Sequence, residues 1–224
     1  MENRIRSDYT KSLQDLQDGL LILGSMVEKA IHKSMQSLKE RDLQLAQTVI
    51  AEDDLIDQKR FELENTAVTL LATQSPMAAD LRLIISALHI AVELERMGDY
   101  AEGIARISQT IGAQPTLKPL IDLPKMTELA TTMLHKSLTA YTNRDKELAI
   151  DVCKSDDAVD SLYSDVYHEL VGIMIEDPDT VQRATYLLWV SHDVERIADR
   201  ATNIAERVIY LVTGELSEID ISTY

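Results

Sequence analysis

The feature that most constrains the fold is a sequence repeat with an offset of one hundred residues. The stretch LERMGDYAEGIAR at 94–106 is matched by VERIADRATNIAER at 194–207. Six of the thirteen aligned positions are identical, and the spacing Glu-x-x-x-Asp is kept in both copies. The identical pairs are Glu95 and Glu195, Arg96 and Arg196, Asp99 and Asp199, Ala101 and Ala201, Ile104 and Ile204, and Ala105 and Ala205. A repeat of this kind indicates two similar units that pack against each other.

The repeat extends towards the N-terminus of each half. The tripeptide His-Lys-Ser occurs at 32–34 and at 135–137, and the pattern Asp-Asp-x-x-Asp begins at Asp53 and at Asp156, both at an offset of 103. The offset has fallen to 100 by Glu95, so the second half has lost three residues before its last helix. A turn between helices is where an independent unit tolerates such a deletion.

Composition and periodicity both predict an all-α protein. Aromatic residues make up only 4% of the chain, which has seven glycines and five prolines, and helix-forming residues dominate. Apolar residues at alternating spacings of three and four predict helices at about 7–39, 42–73, 76–111, 124–142, 145–174 and 178–212. We therefore expect six helices arranged as two tandem, pseudo-symmetric three-helix bundles, with residues 1–113 as the first repeat, 114–123 as a proline-containing linker and 124–224 as the second repeat.

The charge and the cysteine content narrow the possible partners and the compartment. The formal net charge is -16 and the isoelectric point is about 4.6, so nucleic acid and anionic lipid would be repelled. Cys153 is the single cysteine, which fits a reducing compartment. The sequence contains no apolar run long enough for a signal peptide or a membrane span. We expect a soluble cytoplasmic protein that reaches the membrane only peripherally, through partners.

Paired carboxylates on the middle and last helix of each half are the candidate functional residues. Each pair is spaced by four residues, which places both side chains on one face of a helix, where like charges repel. In the middle helices an aspartate also stands where the apolar stripe requires a core residue. The pairs are Asp53 and Asp57, Glu95 and Asp99, Asp156 and Asp160, and Glu195 and Asp199.

A hard di- or trivalent cation would neutralise carboxylates that converge in this way, because oxygen ligands suit Mg, Mn, Ca or Fe. The chain has no Glu-x-x-His motif, which disfavours a ferritin-like di-iron core, and it has no Cys and His cluster of a structural zinc site. The alternative is a surface of salt bridges with the arginines of the same helices. Four pairs in register across a repeat favour metal binding over that alternative.

The motifs ELERMGDYAEGIAR and DVERIADRATNIAER, together with the Asp-rich segments and the duplicated layout, resemble the PhoU family of accessory regulators of phosphate-specific transport. The resemblance covers nearly the whole chain. It implies two three-helix bundles side by side and a cytoplasmic negative regulator of the phosphate-starvation response. The implied partners are the ATPase of the phosphate transporter and a membrane sensor histidine kinase, and we also expect a homodimer.

The resemblance further implies multinuclear metal sites at the paired motifs. We expect divalent or trivalent ions there, with Fe, Mn, Mg or Zn as the candidates. Carried over by motif, the ligands are Asp53, Asp57, Glu95 and Asp99 in the first half and Asp156, Asp160, Glu195 and Asp199 in the second. One departure concerns Gly103, which stands where the second half and the family have an asparagine, Asn203. Glu102 or Asn203 would be an added ligand, and the first site would be either weaker or differently coordinated.

We expect a regulator that is not an enzyme. A carboxylate-bridged metalloenzyme and a purely structural helical scaffold are the two alternatives. A metalloenzyme needs an open coordination position and a general base in a pocket, and the sequence offers no candidate for that base.

Overall fold

The computed structural model describes residues 2–112, 114, 117, 120 and 122–215, and these form an all-α fold. The six helices are α1 (Glu2–Glu40), α2 (Leu43–Gln74), α3 (Ala79–Ile111), α4 (Asp122–Asn143), α5 (Lys146–Glu176) and α6 (Val181–Thr213). A 3-10 turn, Pro178–Thr180, precedes α6. The predicted fold class and the number of helices are confirmed.

The turns that lead into α2 and α5 are two copies of the same structure. The Asp42 side chain accepts hydrogen bonds from the backbone N–H groups of Gln44 and Leu45, and the Asp145 side chain accepts one from Leu148. These N-caps satisfy donors that the first helical turn leaves free. The preceding Arg41 and Arg144 are both left-handed, with φ of 58° and 52°. The repeat therefore extends to the backbone conformation of a turn.

The starts of α3 and α6 differ from the predicted ranges, which began at Pro76 and Pro178. Helix α3 begins at Ala79 because Ser75 and Ala78 have positive φ angles of 47° and 45°, which are incompatible with a continuous helix from Pro76. In the second half the 3-10 turn occupies this place, and Asp177 accepts a hydrogen bond from the N–H of Asp179. Helix α6 consequently starts at Val181.

Helices α1 to α3 pack as one bundle and α4 to α6 as another, and the bundles meet mainly along α3 and α6. Three contacts show that these two helices run antiparallel. They are Glu93 with Arg200 and Asn203, Gly103 with Asp193, and Arg82 with Gly214. One hydrophobic cluster runs through both bundles and includes the buried Ile90 of α3 and Val194 of α6. The antiparallel pairing relates the two halves by an approximate two-fold axis.

No helix in the described part of the chain is long and apolar enough to cross a membrane.

Candidate metal centre

The second half brings its four predicted acids together where α5 lies antiparallel to α6. Burial raises the pKa of Asp156 to about 7, and the neighbouring carboxylates of Asp160, Asp199 and Glu195 raise it further in that direction. Burial also raises the pKa of Glu195 to about 7, with a smaller contribution from Asp199. The four carboxylates are therefore near enough to act on one another electrostatically. We refer to Asp156, Asp160, Glu195 and Asp199 as the second cluster.

The second cluster contains carboxylate oxygens that the protein leaves unsatisfied. Oδ1 of Asp156 and Oε2 of Glu195 are buried and have no hydrogen-bond partner among the described residues. Glu195 Oε2 does lie 3.0 Å from Arg196 Nε, although without hydrogen-bond geometry. Arg196 Nη1 donates to Asp199 Oδ2 at 2.7 Å. Arg196, together with Arg200 at 3.9 Å from Asp199 Oδ2, therefore compensates the acids of α6, whereas Asp156 has no cation within 4 Å among the described residues.

The first half forms the equivalent cluster between α2 and α3, which comprises Asp53, Asp57, Glu95 and Asp99. Burial raises the pKa of Asp53 to about 6, assisted by Glu102, Asp99 and Asp57. The pKa of Asp99 is raised first by burial and then by Glu95 and Asp57. We refer to these four acids as the first cluster.

Close helix packing holds Asp53 beside α3. A Cβ added to Gly98 would lie 3.1 Å from Cγ2 of Ile56 and 3.4 Å from Oδ1 of Asp53. The glycine thus allows α2 to approach α3 at the first cluster. The second half has Ala198 at the matching position. The same contact explains why Asp53 is partly buried although its stripe position calls for an apolar residue.

The salt-bridge alternative is realised for some of the acids only. Arg60 Nη2 lies 3.4 Å from Glu95 Oε1, and Arg196 contacts both Glu195 and Asp199. No cation is within 4 Å of the four middle-helix acids in the described part of the chain, namely Asp53, Asp57, Asp156 and Asp160. The arginines therefore compensate the last helix of each half and not the middle helix.

The donor set suits a hard cation. Each cluster offers four carboxylates. Asp53 and Asp156, on the middle helices, are partly buried, and one acid of each cluster, Asp99 in the first and Asp160 in the second, is exposed to solvent. Among the described residues no three His, Cys, Asp or Glu side chains already have the geometry of a metal site. The acids of each cluster therefore lie near one another without forming the coordination geometry of a metal site. An oxygen-ligated cation would supply the positive charge that the unsatisfied oxygens lack.

The structure places the Gly103 and Asn203 pair away from the two clusters. Asn203 Nδ2 donates to Glu93 Oε2 at 3.1 Å, and Arg200 Nη1 donates to the same oxygen at 3.2 Å. Asn203 therefore joins the two bundles. At the symmetry-related position Gly103 faces Asp193, whose Oδ2 would lie 3.1 Å from an added Cβ. Glu102, the other residue predicted as an added ligand, pairs with Arg106 but lies near enough to the first cluster to raise the pKa of Asp53.

Sequence reasoning missed Glu93 and Asp193, which occupy equivalent positions at the offset of 100. Glu93 is bonded by two donors from the other bundle, whereas burial alone raises the pKa of Asp193 to about 7. The shared offset of 100 residues could have identified these two acids as an equivalent pair. Their contacts across the two-fold axis could not be predicted from the sequence of one half, because they depend on how the two bundles pack together.

Comparison with known proteins gives the family. The model of the PhoU domain matches residues 20–108 and 123–208. The chain belongs to the PhoU family. Its PhoU relatives include the phosphate-specific transport system accessory protein PhoU homolog of Clostridium acetobutylicum, which is 38% identical over 96% of this chain and 99% of its own length. The homolog from Pseudomonas aeruginosa is 35% identical over 96% of this chain and 89% of its own length.

Solved PhoU structures have the same fold. The crystal structure of PhoU from Pseudomonas aeruginosa superposes with a TM-score of 0.89 at 35% identity, covering 92% of this chain and all of that one. The phosphate transport system regulatory protein PhoU from Streptococcus pneumoniae gives a TM-score of 0.88 at 31% identity, covering 94% and 100%. The resemblance read from the ELERMGDYAEGIAR and DVERIADRATNIAER motifs is confirmed, and with it the pair of three-helix bundles. The PhoU relatives are named as accessory proteins of phosphate transport.

Proposed function

We propose that this chain is a cytoplasmic negative regulator of the phosphate-starvation response that connects a phosphate transporter's ATPase to a membrane sensor histidine kinase. Support comes from family membership over nearly the whole chain and from relatives named as accessory proteins of phosphate-specific transport. The structural observation that carries the proposal furthest is the pair of symmetry-related carboxylate clusters, the second of which has two buried oxygens without a hydrogen-bond partner. Such clusters give the two bundles equivalent cation-dependent surfaces.

The first and second clusters are the proposed metal sites. Asp53, Asp57, Glu95 and Asp99 would hold one group of ions, and Asp156, Asp160, Glu195 and Asp199 the other. A bound Fe, Mn, Mg or Zn ion would neutralise the acids and tie the middle helix to the last helix of its bundle. The protein contributes fixed carboxylates on two packed helices, and the exposed Asp99 and Asp160 leave a path from solvent.

Regulation by binding fits these residues better than catalysis. The clusters are carboxylate-rich seams on helix faces, and the relatives are named as accessory or regulatory proteins. A carboxylate-bridged metalloenzyme would in addition need a base and a substrate pocket beside the ions. A net charge of -16 favours basic patches on protein partners, because complementary potentials accelerate encounter and select partners. It disfavours nucleic acid and makes membrane recruitment depend on those partners.

A deletion strain tests the proposal. Without the gene, phosphate-scavenging genes should be expressed even when phosphate is plentiful, and the wild-type gene should restore repression. The double variant E195A/D199A should restore it only weakly if the second cluster shapes the partner surface. An intact phosphate response in the deletion strain, with purified protein that binds neither the ATPase nor the kinase, would contradict the proposal.

A further inference from the structure

Four of the chain's ten aromatic residues, Tyr163, Tyr167, Tyr186 and Trp189, lie on α5 and α6 of the second bundle. The rings of Tyr186 and Trp189 pack edge to face with centroids 5.8 Å apart, and the ring of Tyr163 lies 6.4 Å from that of His192. Trp189 is the only tryptophan and is 55% exposed, and Tyr167 is 45% exposed. We name Tyr163, Tyr167, Tyr186, Trp189 and His192 the aromatic strip.

The register of the two helices makes the strip continuous. Helices α5 and α6 run antiparallel, and Tyr163 is opposite His192. One turn further along α5 is Tyr167, and nearly one turn back along α6 is Trp189, so these two residues occupy neighbouring positions across the same seam. From Gln182 to Arg196 the α6 side of this seam is about 21 Å long at 1.5 Å per residue. That length corresponds to about four turns of a docked helix.

The strip has no counterpart in the first bundle, although the rest of the fold is repeated. The equivalent positions are Arg60 for Tyr163, Glu64 for Tyr167, Ser86 for Tyr186, His89 for Trp189 and Val92 for His192. Packing of the repeat therefore does not require aromatic rings here. Exposed Trp and Tyr side chains are the residues that most often dominate binding energy at protein interfaces, since they bury large area when a partner covers them.

We propose that the aromatic strip is the docking surface for a basic, amphipathic helix of a protein partner. The inference rests on the proposed function, in which the protein acts by binding other proteins, and it assigns one contact to the second bundle. The partner would place apolar side chains against Trp189 and Tyr167. Its lysines or arginines would flank those anchors along the same helix.

Charge complementarity identifies this occupant. At the end of the strip beside the turn between α5 and α6 lie three exposed acids, Glu176, Asp177 and Asp179. An apolar strip with an acidic end matches a partner helix whose apolar stripe continues into a basic end. The aromatic rings also attract cations through their faces.

The same charges argue against the other possible occupants. A second copy of this chain docked at the strip would bring its own Glu176, Asp177 and Asp179 against the same three acids. Anionic lipid headgroups would also be repelled by these acids.

The test measures binding of purified full-length protein to the transporter ATPase and to the cytoplasmic region of the sensor kinase by biolayer interferometry. The strip variant is Y167S/W189S. The matched control is L55S/V68S on α2, which removes two apolar side chains that are each 53% exposed. A second variant, Glu176→Lys with Asp179→Lys, keeps the rings and reverses the charge at one end. Circular dichroism and thermal unfolding verify that each variant is folded.

We expect Y167S/W189S to raise the Kd for at least one partner tenfold or more. The charge variant should also raise that Kd and should make it less dependent on salt concentration. The control L55S/V68S should leave the Kd within twofold of the wild-type value. Unchanged partner binding by folded Y167S/W189S and by the charge variant overturns the strip inference while the proposed function stands. Loss of self-association or of vesicle binding with partner binding intact also overturns it. Wild-type protein that binds neither partner removes the proposed function and the strip inference together.

Discussion

Glu93 and Asp193 show how a repeat can place equivalent acids in unequal surroundings. Glu93 accepts hydrogen bonds from Arg200 and Asn203 of the other bundle, whereas Asp193 faces Gly103 and has no cation within 4 Å among the described residues. Burial is accordingly the sole cause that raises the pKa of Asp193. The two acids are equivalent under the two-fold axis, but only Glu93 is hydrogen-bonded across the interface between the bundles. Substituting the two acids should therefore change the stability of that interface in different ways.

The first prediction concerns the stability of the bundle interface. Replacing Asp193 by Asn removes a partly buried charge, so the free energy of unfolding at pH 8 should rise by about 1 to 2 kcal/mol after allowance for partial exposure. The gain should shrink towards pH 5, because folded Asp193 is protonated there. The control Glu93→Gln should instead lose about 1 kcal/mol, since it weakens a charge-assisted bond. Urea unfolding at both pH values measures this, and a destabilised D193N at pH 8 would contradict it.

The second prediction concerns Arg196, whose guanidinium contacts both Glu195 and Asp199. A cation at the second cluster has to displace these contacts, so Arg196→Gln should tighten Mn²⁺ binding there by about tenfold, or about 1.4 kcal/mol. Arg96→Gln is the matched control, because Arg96 lies 3.7 Å from Glu93 and forms no ion pair within 4 Å with the first cluster. Calorimetric titration gives both affinities. Equal effects of the two variants would contradict a specific role for Arg196.

At the scale of helices, the sequence predicted most of the architecture because each helix carries its own periodic stripe and several carry their own caps. Asp42 and Asp145 start α2 and α5 as residues of their type usually do. The start of α3 was predicted wrongly, since a proline suggests a first helical position and the positive φ of Ala78 has no signature in the sequence. The offsets of 103 and 100 also aligned the acids of the middle and last helices correctly. How far the acids converge depends on helix rotation and side-chain conformation, which periodicity does not specify.

The third prediction follows from the acids at the α2–α3 and α5–α6 seams. The pKa values of Asp53, Asp156 and Glu195 are raised to about 6, 7 and 7, so the folded metal-free protein holds more protons than the unfolded chain between about pH 4 and 7. The free energy of unfolding of the metal-free protein is therefore greatest near the lower end of this pH range and falls as the pH rises through 7. Thermal unfolding in chelator should give a higher Tm at pH 5 than at pH 7.5. A Tm that rises with pH across this range would contradict the electrostatics of both clusters.

At the scale of the whole molecule, two three-helix bundles share one hydrophobic core and meet along antiparallel α3 and α6. This arrangement puts the two clusters at symmetry-related seams and leaves the aromatic strip on one bundle only. Membership of the PhoU family accounts for the duplicated framework. Gly103, which replaces the asparagine of the second half, and the aromatic strip distinguish the two halves in the sequence. The neighbours of these residues depend on tertiary packing.

The central claim is that both clusters bind metal, and elemental analysis of protein purified without an affinity tag tests it most directly. Wild-type protein should carry Fe, Mn, Mg or Zn. The variants E195A/D199A and E95A/D99A should each lose the metal of one cluster, and the variant that combines all four substitutions should carry none. All variants should stay folded, because removal of like charges relieves repulsion. Metal content that is unchanged in E195A/D199A, together with a stability loss of about 3 kcal/mol or more, would show that these acids are structural ion-pair partners.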